Sequence, residues 1–409
     1  MEKFIKALHL YFRRYMSFFT TASSIFITCN KRLAPYLARE VTELGYVPDA
    51  VQQTGVLLTG TMADCIRLNV NLRCASQVMY SLKKFICRGP DDLYRHIHKM
   101  PWETIIPEDG YLSINSNVYH HSIRTDMFAS VKVKDAIVDR IRDITGKRPD
   151  TGPTLEGTVV YLFWKDEDAE IFIDTSGETL AKHGYRKIPG KAPMLEALAA
   201  ATLLATRWNR QSLFINPMCG SGTLAIEAAL LATNRVPGLL RDNYAFKHVQ
   251  GYDEQPYLAA FEEVKTKVKE VPGLRIIATD ISDDAIHIAK INAGIAGVES
   301  YIEWVVCDFA ETPVPEEVTG VIMFNPEYGE RLGEVDELEE TYARIGDFMK
   351  KGCKGYTGYI FTGNLELARK IGLKASRRIE FYTGKIDCRL LEYELYAGSR
   401  RVEKEGSGS

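Results

Sequence analysis

The chain reads as an α/β protein: a doubly wound, mostly parallel sheet closed by an antiparallel hairpin, with an α+β region ahead of it. Three observations predict this. From residue 212 onward, short apolar runs alternate with helical stretches, the rhythm of strands joined by crossover helices. The final segment, "RRIEFYTGKIDCRLLEYELY" (377–396), breaks that rhythm with two strands about a "TGK" turn. Before residue 177 strands and helices mix less regularly, and "TVVYLFWKDEDAEIFIDTSG" (158–177) is a hairpin around polar "KDED".

Composition bounds the classes. With 409 residues, 45% hydrophobic and 26% charged, the chain can bury two or three cores and is not disordered. A formal net charge of −3 excludes a whole-chain basic field, so any nucleic-acid surface is a local patch. Eight scattered cysteines with no C-x-x-C pair argue against a zinc ribbon or redox motif. They fit a reducing cytosol and a cytoplasmic protein without a metal, most of them being small buried hydrophobes.

Residues 1–22 form an N-terminal extension, with Phe4, Ile5, Leu8, Phe12 and Tyr15 on one helical face. Arg13-Arg14 interrupts it, too early for a membrane span, so either a packed amphipathic extension or a targeting peptide fits. Next, "SSIFITC" (23–29) is a strand and "APYLAREVTELG" (34–45) a helix closed by Gly45. "VKVKDAIVDRIRDITGKRP" (131–149) is helical, with Pro149 beyond its end. Pro193 starts a helix that "MLEALAAATLLATRW" continues. Strands follow at 212–216, 275–280, 301–308, 320–325 and 355–362, with helices at 223–233, 283–293 and 337–351. Residues 401–409 end in "GSGS", a flexible tail.

The chemistry gathers at strand ends. "FINPMCGSGTLAIEAA" (214–229) is strand, Gly-rich turn and helix, and Gly220 and Gly222 let the backbone bend and approach a ligand. It is neither G-x-G-x-x-G nor a P-loop, which disfavours a phosphate cradle; free N–H groups begin at Thr223. Asp280 ends the strand of "IIATDIS", where an acid accepts two ribose hydroxyls, while Ser282 suits the next helix cap. Asp308 in "VVCDF" ends the following strand and can accept from an adenine amine. A fourth strand, "GVIMFN", runs into "NPEYGERLGE", and Pro326 cannot continue the ladder.

"NPMCGSGT", "ATDIS" and "NPEYGERLG", in this order, resemble the class I S-adenosylmethionine-dependent methyltransferases. They are similar in particular to the bacterial 23S ribosomal RNA guanine-N2-methyltransferases that carry a THUMP domain. The segment 171–204 also resembles that family's approach to its catalytic domain, and residues 23–170 agree in element order. The resemblance implies a ferredoxin-like subdomain (23–78), a THUMP-like RNA-binding domain (79–177) and a Rossmann-like methyltransferase domain (178–400). It implies S-adenosylmethionine held by Asn216, Pro217, Met218, Cys219, Gly220, Gly222, Thr223, Asp280, Ile281, Asp308 and Phe309. It also implies an amine-binding turn of Asn325, Pro326 and Tyr328. There the Asn325 amide oxygen and Pro326 carbonyl accept from an exocyclic amine, and Tyr328 stacks a flipped base.

Two residues depart from the family pattern. Glu327 replaces the usual second proline, and points to solvent or collects the departing proton. Asn216 replaces the usual aspartate, removing a charge that would attract the donor's ammonium group. For RNA, Arg124, Lys132, Lys134, Arg140, Arg142, Lys147 and Arg148 form either a phosphate-tracking patch or an ion-paired helix face. Lys182, Arg186, Lys187 and Lys191 add charge beside Tyr185, with His183 a surface hydrogen bonder. Three functions stay open: guanine-N2 methylation of 23S ribosomal RNA, adenine-N6 methylation of DNA or RNA, and a silent THUMP-type RNA-binding protein.

Overall fold

The computed structural model describes residues 19–188, 193–329 and 335–396. The apolar face of the N-terminal extension, Lys191, the end of "NPEYGERLG" and the Gly/Ser tail lie outside the described residues. The chain divides into two compact units, residues 1–184 with 234–268, and residues 185–233 with 269–409. No described helix is long and apolar enough to cross a membrane. All eight cysteines are free, and all but Cys307 are buried.

The first unit opens with β1 (Ser23–Thr28), α1 (Ala34–Glu43), β2 (Ala50–Gln52), β3 (Gly55–Gly60), α2 (Met62–Asn71) and β4 (Gln77–Ile86). It continues with α3 (Pro90–His98), β5 (Tyr111–Tyr119), α4 (Asp126–Thr145), β6 (Asp150–Thr151), β7 (Thr158–Lys165) and β8 (Asp168–Asp174). Among the described residues the strands form one sheet, in the order β2-β3-β1-β4-β8-β7-β5-β6. The ten-residue β4 pairs antiparallel with both β1 and β8, so it joins the 23–78 and 79–177 stretches into one structure. Local chemistry sets the helix ends. Thr61 and Asp64 make a reciprocal capping box at the start of α2, and Gly45, at φ +89°, turns the chain after α1. Helix α4 starts at Asp126 rather than 131, because the exposed Met127 and Phe128 hide its periodicity.

The second unit begins with α5 (Glu196–Ala205), β9 (Leu213–Pro217) and α6 (Thr223–Ala232). Pro193 does not start α5: the helix begins three residues later, at Glu196, with Leu195 still extended. Every residue of α6 is buried, as a helix apolar on all sides must be. The chain then runs through residues 234–268, which group with the first unit although they lie inside the stretch expected as the second domain. This excursion carries α7 (Gln255–Thr266). Its Glu263 carboxylate accepts from Arg67 of α2 through Nε (3.0 Å) and Nη2 (2.9 Å), while Arg67 Nη1 donates to the Leu44 carbonyl (2.8 Å). Arg241 donates to the carbonyls of Ser176 (3.0 Å) and Thr179 (3.2 Å) within the same unit.

The second unit resumes with β10 (Ile276–Asp280), α8 (Asp283–Ala296), β11 (Ile302–Val306), β12 (Gly320–Phe324) and α9 (Val335–Gly352). It ends with β13 (Thr357–Thr362), α10 (Leu365–Lys370), β14 (Arg377–Thr383) and β15 (Ile386–Glu394). The sheet order is β11-β10-β9-β12-β13-β15-β14, parallel except for the final hairpin, which enters antiparallel to β13. From β9 the chain steps outward to β10 and β11, then returns to place β12 on the other flank of β9. That reversal makes a topological switch point between the carboxyl ends of β9 and β12, the place where open α/β sheets hold their ligands. Ile215, Ile322, Phe324, Tyr342 and Ile360 fill the core beneath it.

The ion pair on α7 makes stability depend on pH. The Arg67 and Lys267 hydrogen bonds hold the Glu263 carboxyl down to about 2. A folded-state value below the unfolded one means the stabilisation is complete above the ordinary glutamate range and is lost as pH falls through about 2. Arg67→Ala is expected to cost about 1–2 kcal/mol at neutral pH. Urea titrations between pH 5 and pH 2 should show a shallower loss of stability in Glu263→Gln than in the parent protein.

Candidate active site

The turn after β9 is built from backbone conformations that side chains resist. Met218 (φ +54°), Gly220 (φ +55°) and Gly222 (φ +81°) are all left-handed. Hydrogen bonds tie the turn down: Cys219 N–H to Thr279 O (2.9 Å), Gly222 N–H to Cys219 O (2.9 Å) and Gly220 N–H to Asp280 Oδ2 (2.9 Å). The two glycines serve different ends. A Cβ on Gly222 would lie 2.9 Å from Ala289 Cβ and 3.0 Å from Trp304, so this glycine lets the turn pack on α8. A Cβ on Gly220 would meet nothing within 4 Å, so its face is open to a ligand. Helix α6 starts behind Gly222 with no side-chain cap, while Thr223 Oγ1 accepts from Arg186 (2.9 Å). Pro217 and Cys219 are buried beneath the turn.

Asp280 stands at the end of β10. Its Oδ2 accepts from Gly220 and its Oδ1 from the Ser282 N–H (3.0 Å), which leaves acceptor capacity on both oxygens. Ile281, next along, is 73% exposed, an apolar face beside an acid. Ser282 caps α8 by accepting from the Ala285 N–H (3.2 Å), as its sequence position predicts. Asp308 caps a short 3-10 turn (Phe309–Glu311), and its Oδ1 accepts from Ala310 N–H (2.9 Å) and Arg344 Nη2 (2.8 Å). Burial pushes the Asp308 carboxyl up, but Arg344 and the Ala310 N–H outweigh it and hold the group below its usual range. Phe309 turns inward, its ring packed edge-on to Phe324 (6.3 Å) and Phe348 (6.5 Å), with the Arg344 guanidinium over it at 4.8 Å. Arg344 was not legible as a site residue: it lies on a different helix, 36 residues beyond its partner.

At the switch point, Asn216 is the next-to-last residue of β9 and Asn325 follows the end of its neighbour β12. Asn216 is buried, and its Nδ2 donates to Met323 O (3.0 Å) and Pro217 O (3.3 Å), bridging β9 to β12. An ionised aspartate has no donor and could not make this bridge. Asn325 Oδ1 is buried and has no hydrogen-bond partner. Pro326 is buried, and Glu327 exposes its side chain while its carbonyl accepts from the Tyr342 hydroxyl (3.2 Å). Tyr328 is half-buried, and its carbonyl accepts from Asn364 Nδ2 (3.4 Å).

The basic residues divide by partner. Lys132 pairs with Asp91 (3.5 Å), Lys134 with Asp135 (3.1 Å), Arg140 with Glu103 (2.8 Å), Arg142 with Asp139 (2.7 Å) and Lys147 with Glu108 (2.5 Å). This is the ion-paired helix face, with Arg124 and Arg148 outside those pairs. In the second group Lys182 pairs with Glu178 (3.5 Å), and Arg186 faces Glu196 (3.5 Å) as well as Thr223. His183 is not at the surface: it is buried, with Nε2 2.9 Å from the Arg73 carbonyl, and Tyr185 beside it is also buried.

These features define a class: an α/β protein whose sheet edge offers a Gly-rich turn, two strand-end acids and two unpartnered amide oxygens, on Asn216 and Asn325, a set suited to a nucleoside-bearing ligand and an amine. Comparison with known proteins is specific. Residues 183–392 match the family described as RMKL-like, methyltransferase domain; residues 24–79 match the RlmL ferredoxin-like domain and residues 87–174 the THUMP domain. The chain belongs to this RMKL-like methyltransferase family. It is 33% identical over 381 residues to the ribosomal RNA large subunit methyltransferase K/L of Syntrophotalea carbinolica, covering 90% of this chain and 53% of that one. It thus spans about half the length of that curated relative. A Synechocystis protein, slr0064, named provisionally as an RNA methyltransferase, is 30% identical over 93% of this chain and 99% of its own. Among solved structures, a Listeria monocytogenes protein described as a predicted N6-adenine-specific DNA methylase superposes with a TM-score of 0.82 at 29% identity, covering 92% and 97%.

The two glycines should separate in mutagenesis. Gly220→Ala meets only the left-handed backbone penalty, about 1–2 kcal/mol. Gly222→Ala adds overlap with α8, for a total of about 2–4 kcal/mol. Urea unfolding of the two variants should rank them in that order.

Proposed function

We propose that the protein is an S-adenosylmethionine-dependent RNA methyltransferase that methylates the exocyclic N2 amine of a guanine in 23S ribosomal RNA, in the cytoplasm. The observation that carries this reading is Asn325 Oδ1, a buried acceptor without a partner at the switch point of the sheet. A buried acceptor left unmade costs about 1–3 kcal/mol, and an amine donor would relieve it. An amine that donates to Asn325 Oδ1 and the Pro326 carbonyl is oriented, with its lone pair free to attack.

The residues present fit the donor molecule. Gly220 offers an open face, Asp280 keeps free lone pairs for ribose hydroxyls, and exposed Ile281 offers an apolar surface to a purine. Asp308 can accept from the adenine amine while keeping its bond to Arg344, because each carboxylate oxygen has two lone pairs. When bound, S-adenosylmethionine supplies an electrophilic methyl group. The amine needs no strong base, since it can lose its proton after transfer. The exposed Glu327 side chain supports the solvent-facing reading of that residue. The ferredoxin-like and THUMP domains, together with the ribosomal RNA relatives, support RNA as the substrate.

Adenine-N6 methylation is the second reading, favoured by the likeness to the Listeria protein and by a turn that presents any exocyclic amine. One experiment decides: incubate the protein with unmodified ribosomal RNA and methyl-labelled donor, digest, and identify the labelled nucleoside. N2-methylguanosine supports the first reading and N6-methyladenosine the second. RNA binding without transfer would leave a silent RNA-binding protein.

Three further outcomes are expected. Asp280→Ala removes the ribose acceptor and the Gly220 anchor, and calorimetry should show donor binding weakened by about 1.5–3 kcal/mol. Asn325→Ala should slow turnover by about 10²–10³. Glu327→Pro should leave turnover similar or modestly raised; a marked loss across the pH–rate profile would assign the carboxylate to proton collection.

A further inference from the structure

We propose that Gly363 is a positioning residue for Tyr328, and that Tyr342 secures the same turn from below. The inference rests on the methyltransferase reading of the "NPEY" turn. Strand β13 ends at Thr362, and Gly363 and Asn364 follow it next to that turn. The Tyr342 hydroxyl lies 2.9 Å from Thr362 Oγ1 and 3.2 Å from the Glu327 carbonyl, so one buried phenol joins the strand end to the turn. Asn364 works on both sides of the junction. Its Oδ1 accepts from Glu366 N–H (3.0 Å) and Leu367 N–H (3.1 Å) to start α10, and its Nδ2 donates to the Tyr328 carbonyl.

Gly363 sits between these anchors, and its own backbone does not explain it. Its φ is outside the left-handed region, where any residue with a side chain would be tolerated. Space is what excludes a side chain. A Cβ at Gly363 would lie 3.1 Å from Cδ2 and Cε2 of the Tyr328 ring and 2.7 Å from Cγ2 of Ile386. Ile386 begins β15, and its Cγ2 sits on a β-branched carbon, so it gives way only by shifting the start of the strand. The Tyr328 ring must give way as well, by a few tenths of an ångström. The bare α-carbon of Gly363 is therefore a seat that fixes where the Tyr328 ring lies, three residues from the Asn325 amide that orients the amine. The hairpin after β13 acquires a role through this contact: it backs the seat.

The test is a double-mutant cycle between Gly363→Ala and Tyr328→Ala in the full chain, with unmodified ribosomal RNA as substrate. Gly363→Ala alone is expected to lower kcat by at least about tenfold, the scale of a misplaced group at a reacting centre. In the Tyr328→Ala background the same change should cost less than about twofold, because no ring is left to displace. Calorimetric affinity for S-adenosylhomocysteine should be unchanged throughout. Independent, multiplicative losses in the cycle, or a parallel loss of S-adenosylhomocysteine affinity, would overturn the proposal. A second readout needs no turnover: nitration of Tyr328 by tetranitromethane, followed by peptide mass spectrometry, should quicken in Gly363→Ala as the ring leaves its seat. An unchanged nitration rate would overturn the seat. If the parent protein methylates no RNA but nitration quickens, the seat stands and the functional reading fails.

Discussion

The hydrogen bond from Asn216 Nδ2 to the Met323 carbonyl ties the ends of the two strands on which the site depends, just past their backbone ladder. Strands β9 and β12 are neighbours although about a hundred residues separate them, and their connections leave in opposite directions. The Gly-rich turn follows one and the "NPEY" turn follows the other. A buried amide bridging their ends fixes the distance between the surfaces that would hold donor and acceptor. The family's usual aspartate would bring a charge but no donor, so this chain exchanges an electrostatic attraction for a strand-to-strand hydrogen bond.

Around that bridge, polar groups divide into those spent on structure and those left for ligand. Asp280 and Asp308 each do both, closing a local turn while retaining lone pairs toward the edge. Arg186 faces Glu196 and reaches Thr223 at the start of α6, so a residue from a stretch that looked like RNA-binding charge instead braces the Gly-rich turn. Tyr342 and Asn364 hold backbone carbonyls of the "NPEY" turn, which frees the Asn325 amide from structural duty. Local strain is concentrated at Met218, where a side chain occupies a left-handed backbone position beside two glycines that do the same.

The RNA-binding reading of the first unit shifts ground accordingly. The α4 cations Lys132, Lys134, Arg140 and Arg142 are all engaged with carboxylates; the more exposed pairs, such as Arg142 with Asp139, contribute little to stability and could exchange for phosphate, whereas Arg140 is held in a half-buried bidentate pair with Glu103. The broken strand-and-helix rhythm of the first half becomes one continuous sheet through β4, which pairs with β1 on one side and β8 on the other.

Periodicity and strand-end residue types by themselves determined the α/β class, the succession of parallel strands and helices along the chain, the terminal hairpin, and the placing of Asn216, Gly220, Asp280, Asp308 and Asn325 at strand ends. These follow from local rules, because an apolar run followed by a glycine, an acid or Asn-Pro reads the same in any context. Only the tertiary structure decided what crosses long stretches of chain. It assigned residues 234–268 to the first unit, paired Arg344 with Asp308, turned Phe309 into the core, buried His183 and set Gly363 under Tyr328. Each of these depends on which surfaces meet once the strands are ordered, and a single position in the chain carries no local signal of a partner tens of residues away.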